Sequence, residues 1–299
     1  MALDLNSLPL YVEQRRLPLI KEAVLKAKSA SLFNLQTDIK TSAAVNLVSV
    51  APVIQDGGCG WNDAGTAKLS QRIIETGLMK INQSFCERDF LKYWTGYEVK
   101  VGVGQENLPF EEYFTSLIVD EVKASIEKMI WQGDKDSDDA NLNKFDGLNK
   151  ILNSATGVIK PTIASGTSAY EAIKTVYMAI PEKVLDKAVI LCGADTFRAY
   201  MQEMVEKNFY HYSADGYPTE EFVMPGTNTK VIAVNGLNGT GVIVASALEN
   251  LFYGCDMMND AETFDMWYSK DFREFRLAIQ FNAGVQVAFP DEVVMGVKA

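Results

Sequence analysis

Phe275-Arg276-Leu277-Ala278-Ile279-Gln280-Phe281-Asn282-Ala283-Gly284-Val285-Gln286-Val287-Ala288-Phe289 places an apolar residue at every odd position. Eight apolar residues in a row at period two predict one long strand with a covered face. Gly284 marks the place where such a strand would bend. Fully extended, the stretch would span about 50 Å, well beyond the usual strand of about six residues.

A second long element precedes it. From Pro109 to Gly133 the residues Phe110, Phe114, Leu117, Ile118, Ile126, Met129 and Ile130 recur at helical spacing. Glu111 and Glu112 occupy the first turn, where the helix dipole favours carboxylates, and Gly133 ends the pattern. The expected helix is about 36 Å long. A helix and a strand of these lengths suit a flat, elongated body better than a small round one.

Outward from these two elements the chain divides into four parts. Residues 1–37 read as an arm leading into a helix, with Leu17, Ile20, Val24 and Leu25 on one stripe and Pro18 near its start. The arm carries Arg15, Arg16, Lys21, Lys26 and Lys28, a mildly basic set that suits either a solvated face or an acidic neighbour. Residues 38–85 read as a long hairpin. Ile39, Thr41, Ala43, Val45 and Leu47 alternate on the way out, and Ile73, Ile74, Leu78, Met79, Ile81 and Phe85 lead back. Its tip, Gln55 to Gly65, holds Gly57, Gly58, Gly60 and Trp61. An isolated two-stranded hairpin is marginal in water, so this one expects either its own domain or another copy beneath it. Trp61 is an anchor for such a contact, or packs within its own subunit.

Residues 147–255 alternate helix and strand. Ser168 and Glu171 form a capping box, Ala188 to Cys192 is a buried strand, and Asp195 is placed to cap the next helix. A Tyr-, Gly- and Pro-containing loop from Asn208 to Gly226 includes Tyr212 and Tyr217. Two short strands follow at Val231–Val234 and Val242–Ala245.

Catalytic and metal chemistry find little support. His211 is the only histidine and has no Gly-x-Ser-x-Gly elbow beside it. Gly236-Leu237-Asn238-Gly239-Thr240-Gly241 lacks the Gly-Lys-Ser/Thr end of a phosphate loop and reads as a hairpin turn. Asp134, Asp136 and Asp138 have the spacing of a calcium loop, but the positions that motif gives to Gly and Glu hold Asp139 and Phe145. Cys59, Cys86, Cys192 and Cys255 are far apart, with no CxxC pair, so a reduced protein without a disulfide framework or zinc site is expected. The start of the chain lacks the pattern of a signal peptide, and no apolar run is long enough to span a membrane. The 28 basic and 39 acidic residues give a net charge of −11, which excludes a protein built mainly to grip phosphate backbones.

Several segments together resemble a known family. Ile130-Trp131-Gln132-Gly133-Asp134 followed by Phe145-Asp146-Gly147-Leu148 is similar to the helix end and glycine join of the major capsid proteins of tailed double-stranded DNA bacteriophages. Arg276 to Asp291 is similar to the last strand of that family. The order of arm, hairpin, long helix, α/β part and returning strands fits as well. The resemblance implies an α+β fold, the phage major-capsid fold shared with encapsulins. It implies an arm at 1–37, an E-loop hairpin at 38–85, a P-domain with spine helix and long strands at 86–146 and 256–299, and an α/β A-domain at 147–255. It further implies a structural subunit and not an enzyme. Such a subunit self-assembles into hexamers and pentamers of an icosahedral shell enclosing phage DNA without sequence-specific binding. The expected partners are further copies of the chain, a separate scaffolding protein, a portal and decoration proteins, with no cofactor and no membrane. The expected location is the virion capsid, after synthesis in the host bacterial cytoplasm. Arg15, Arg16, Gly57, Gly58, Gly60, Trp61, Tyr212 and Tyr217 are the expected assembly contacts. An encapsulin-like compartment is the alternative, and an α/β enzyme the third reading.

Overall fold

The computed structural model describes residues 15, 19, 22–55, 57–59, 65–86, 110–207, 220–256 and 263–298. It is a mixed α+β molecule built on two five-stranded sheets and one two-stranded ribbon. The first sheet contains β1 (Asn34–Gln36), β4 (Gly77–Cys86), β9 (Leu251–Cys255), β10 (Thr263–Ser269) and β11 (Glu274–Val287). The ribbon is β2 (Ser42–Pro52) with β3 (Gly65–Glu75). The second sheet runs β12 (Val294–Val297), β8 (Val242–Ala247), β5 (Ala188–Cys192), β7 (Lys230–Ala233), β6 (Glu221–Val223). Helices with full bounds among the described residues are α1 (Lys28–Leu32), α2 (Phe110–Gln132), α3 (Leu148–Ser154), α4 (Ala169–Met178) and α5 (Ala194–Glu206).

β11 is the strand that the alternation predicts, 14 residues long. Phe275, Leu277, Ile279, Phe281, Ala283, Val285 and Val287 are all buried, while Arg276, Ala278 and Gln280 are half-buried on the other face. It pairs antiparallel with β10, β4 and β9, and β1 runs parallel to β9. Gly284 serves close approach: a Cβ there would lie 2.2 Å from the Glu75 carbonyl oxygen.

The ribbon is shorter than the hairpin the sequence suggested. Its register runs from Ser42 opposite Glu75 to Pro52 opposite Gly65. The expected return arm through Phe85 is interrupted at Thr76, whose N–H donates to the Thr41 carbonyl at 2.9 Å and closes the base. β4 then leaves the ribbon and pairs with β11, Met79 opposite Phe281. Gly77 makes the switch possible, since a Cβ there would meet the Lys144 carbonyl oxygen at 2.3 Å.

α2 has 23 residues, about 34 Å. Its buried stripe is Ile118, Val119, Val122, Ile126, Met129, Ile130 and Trp131, which share one core with β11 and with Leu191, Ile232 and Val244 of the second sheet. Leu117, expected on that stripe, is exposed. The opposite face of the second sheet, Ile190, Cys192, Val231, Ala233, Ile243 and Ala245, packs under α4 and α5. Strands buried on both faces read as continuous apolar runs, which is why β5 and β8 show no alternation.

Ser168 caps α4 as expected, accepting from the Glu171 N–H at 3.3 Å. Asp195 stands inside the first turn of α5 instead of at its cap, which is Gly193. Its carboxylate accepts from Thr196 N and from Gly239 N across the interface. The glycine stretch at 236–241 is not a hairpin turn, because β5 lies between β7 and β8. It crosses beneath α2, where Gly236 leaves no room for a side chain: a Cβ would sit 2.2 Å from the Glu127 carbonyl oxygen. At Gly236 and Gly241 neighbouring backbone fills the space that a phosphate loop would keep open. The acidic loop after α2 is closed by its own cation. Lys150 Nζ lies 2.5 Å from Asp134, 2.6 Å from Asp136 and 2.9 Å from Asp146.

Candidate assembly surfaces

The ribbon has two unlike faces. On one, Val45, Leu47 and Ile74 are buried with Ile39 and Ala288, and this small core fixes the base of the ribbon to the body. Gln286 strengthens the attachment by donating from Nε2 to the Ile73 carbonyl at 2.6 Å. On the other face Ile73, Leu69, Val48 and Val50 are all exposed, Leu69 at 83%. Val48 stands opposite Leu69 in the register. Asn46 and Gln71 interrupt the strip and satisfy each other, with Gln71 Nε2 donating to Asn46 Oδ1 at 2.8 Å. Val53 and Ile54 continue the apolar character toward the tip, Ile54 being fully exposed. Each strand has 11 residues, so the paired ribbon runs about 36 Å. Contiguous exposed apolar surface of this kind marks interaction sites in soluble proteins.

A groove of about 480 Å3 lies between β4 and α2, lined by Ile81, Phe85, Leu117, Ile118 and Val122, with Glu121 at its polar side. Its apolar lining comes from the odd-numbered face of β4 and from a helix flank that includes the exposed Leu117. Both features were visible in the sequence as apolar residues, but their juxtaposition depends on β4 leaving the ribbon.

Gly57 and Gly58 are exposed, with open space around the position of a Cβ. Arg15 is exposed on the helical stretch before α1. Arg16, Gly60, Trp61, Tyr212 and Tyr217, with His211, lie outside the described residues. Of the expected contacts, the described residues are Arg15, Gly57 and Gly58, all exposed; the ribbon face and the groove were not named as contacts in advance. Their signal was the even-numbered apolar pair Val48 and Val50, which breaks the odd-position alternation of the outgoing strand.

Cys59 and Cys86 are exposed free thiols, and Cys192 and Cys255 are buried. Burial, helped by the nearby Asp195 carboxylate, pushes the Cys192 thiol up to about 12, far from a reactive thiolate. Among the described residues no group of three or more His, Cys, Asp or Glu side chains is arranged to hold a metal. No described helix is long and apolar enough to cross a membrane.

No family model matches the chain, and no curated protein matches it. Solved structures do. A chain of the "Satellite phage P4 procapsid including size determination (Sid) protein" aligns with a TM-score of 0.63 at 10% identity, over 94% of this chain and 90% of that one. A chain of the "Capsid of native GTA particle" aligns at 0.57 and 12% identity, over 93% and 90%. A chain of a virus-like particle from Pyrococcus furiosus aligns at 0.54 and 12% identity, over 95% and 98%. The fold is that of capsid-shell subunits. More narrowly, it is the phage major capsid protein fold that the sequence resemblance implied.

Proposed function

We propose that the chain is a phage major capsid protein, a structural subunit that assembles into hexamers and pentamers of an icosahedral shell enclosing double-stranded DNA. The observation that carries this reading is the ribbon: a two-stranded arm, fixed at its base and apolar along its free face. Such a ribbon is marginal alone and gains its partner from another copy. The groove between β4 and α2 offers an apolar surface for it. Many copies of one modest contact, each closing the next, hold a shell far more tightly than any single pair.

The parts take the family's roles in this reading: the arm at 1–37, the ribbon as E-loop, the first sheet with α2 as P-domain, the second sheet as A-domain. β12 stands in the second sheet and β9 in the first, so the chain crosses between the two bodies more than once. The net charge of −11 suits a container that must release its genome, since it adds no general attraction for phosphate. A scaffolding protein, a portal and decoration proteins act as separate partners, and the chain itself catalyses nothing.

An encapsulin-like compartment is the second reading, favoured by the near-complete mutual coverage with the Pyrococcus furiosus particle chain. The contents of purified particles separate the two: packaged DNA supports the virion, and an enclosed protein cargo the compartment. Electron microscopy of the chain co-expressed with its scaffold tests both. Closed shells are expected from the intact chain, and a soluble folded subunit without shells after deletion of residues 55–66. Intact shells from that deletion would overturn the role given to the ribbon.

A further inference from the structure

Three stretches far apart in sequence converge on one carboxylate. Glu127 lies on α2 and is 4% exposed. Its Oε2 accepts from Ser29 N at 2.8 Å and its Oε1 from Ser29 Oγ at 2.6 Å. The backbone N–H of Gly236, in the turn between β7 and β8, adds its field to the carboxylate, and the neighbouring Gln132 Nε2 on α2 donates to the Gly236 carbonyl at 2.6 Å. Ser29 Oγ accepts in turn from Trp131 Nε1 at 2.7 Å, so this hydroxyl is used both ways. Trp131 is fully buried and meets Phe33 edge-on at 5.9 Å. The arm, the long helix and the α/β unit are thus joined at one polar knot within an apolar surround.

The charged groups around the knot come from two of the three elements. The arm brings Lys26 and Lys28, α2 itself brings Asp120, Lys123 and Lys128, and the 235–238 turn brings only the amides of Asn235 and Asn238. Lys28 is held by Glu220 at 2.8 Å, Lys26 by Glu22 at 3.1 Å, and Lys123 by Asp120 at 3.0 Å. Among the described residues no lysine or arginine forms an ion pair with Glu127. A buried carboxylate held only by neutral donors carries an uncompensated burial cost when charged and loses that cost on gaining a proton.

We propose that Glu127 is a proton-operated latch, which seats residues 27–36 on the long helix and the 235–237 turn more firmly when it is neutral than when it is charged. Burial raises its proton affinity, and this outweighs the hydrogen bonds from Ser29 and the fields of the Gly236 N–H and Lys28. A group whose pKa is raised on folding contributes fully below its unfolded pKa, and that contribution is lost as pH rises through the folded value. The hold on the arm therefore weakens as pH rises above the ordinary carboxylate range and through the raised value of Glu127. Glu22 and Glu220 shift the other way, held below the usual carboxylate range by their lysine partners, so they stay charged across this window. The inference rests on the fold and holds whether or not the shell reading does.

Hydrogen exchange measured by mass spectrometry on the full-length chain, in one assembly state checked by size exclusion, tests the latch. Rates are corrected for intrinsic pH dependence. Protection of amides 29–36 should fall with rising pH by up to about tenfold per pH unit, the slope of one linked proton, while that of residues 188–192 stays flat. Glu127→Gln, which keeps the shape without the charge, should flatten the profile and hold the arm at neutral pH at least as well as the wild type. Glu127→Ala should lower protection of the arm at every pH. A flat wild-type profile at 29–36, or a Gln variant that keeps the wild-type slope, would overturn the proposal. The wild-type contrast between 29–36 and 188–192 decides the matter even if a variant fails to fold.

Discussion

β11 and the β2–β3 ribbon are written in the same alphabet. Both begin on odd-position alternation, which β11 keeps to its end and β2 loses at Val48 and Val50, and both run longer than an ordinary strand. In β11 every odd residue from Phe275 to Val287 finds its cover within the chain. In the ribbon only the base does, and the face carrying Val48, Val50, Leu69 and Ile73 stays open. Periodicity reports that a face needs covering. It does not report which molecule supplies the cover. The difference lies in neighbours: β11 has three strand partners and a helix-lined core, while among the described residues β2 and β3 pair as strands with each other alone and touch the body at their base.

This contrast can be broken at several points. The largest effect falls on the covered strand. Phe281→Ala should cost about 3–5 kcal/mol of subunit stability, measured by denaturant titration, because it empties a fully packed site. Gly284→Ala should cost about 1–3 kcal/mol in the same assay, since the new methyl meets the Glu75 carbonyl and the ribbon base must shift. Ser168→Ala should cost about 1 kcal/mol through the lost cap of α4, with no effect on the ribbon. Smallest of all is the change on the open face. Val48→Ser with Leu69→Ser should leave subunit stability within about 0.5 kcal/mol, yet abolish closed shells in electron micrographs. A double variant that melts like Phe281→Ala would show that the open face is covered by its own chain after all.

One titration sharpens the picture from another side. Burial of Glu203 works against its charge, but the Ser168 hydroxyl and the Ala169 and Tyr170 N–H groups outweigh it and hold the carboxyl below its ordinary range. Such a group stabilises above its unfolded pKa, and the benefit is lost as pH falls through the folded one. Acid should therefore loosen the start of α4, the opposite sign to Glu127. Hydrogen exchange at residues 170–173 should show the loss, and Glu203→Gln should remove it.

The two longest elements were legible because their signal is local. β11 ends at Val287 and α2 spans Phe110–Gln132, each within two residues of the boundary its pattern suggests. Ser168 was legible for the same reason, since a cap is read within four residues. The partner of β4 was not. Met79, Ile81 and Phe85 stand at odd positions as Ile73 does, and nothing nearby says that the strand partner lies about two hundred residues downstream. The glycine stretch at 236–241 misled because a turn between two strands suggests a hairpin, whereas β5 had already taken the place between them. Glu127 left one faint trace. It is a carboxylate set beside Ile126, Ile130 and Trp131, on the stripe where a helix of this kind keeps its apolar residues. Arg16, Trp61, Tyr212 and Tyr217 lie outside the described residues, so their expected roles as contacts stand as proposals.

The pairing of β4 with β11 has a consequence for how the subunit is made. The ribosome delivers β11 roughly 10–40 s after β4, at about 5–20 residues per second. Throughout that delay Met79, Ile81 and Phe85 have no strand to lie against, and the nascent chain exposes a sticky unpaired edge. Over that interval the yield of the subunit depends on how long the unpaired edge stays exposed, a cost set by chain order and not by the stability of the finished fold.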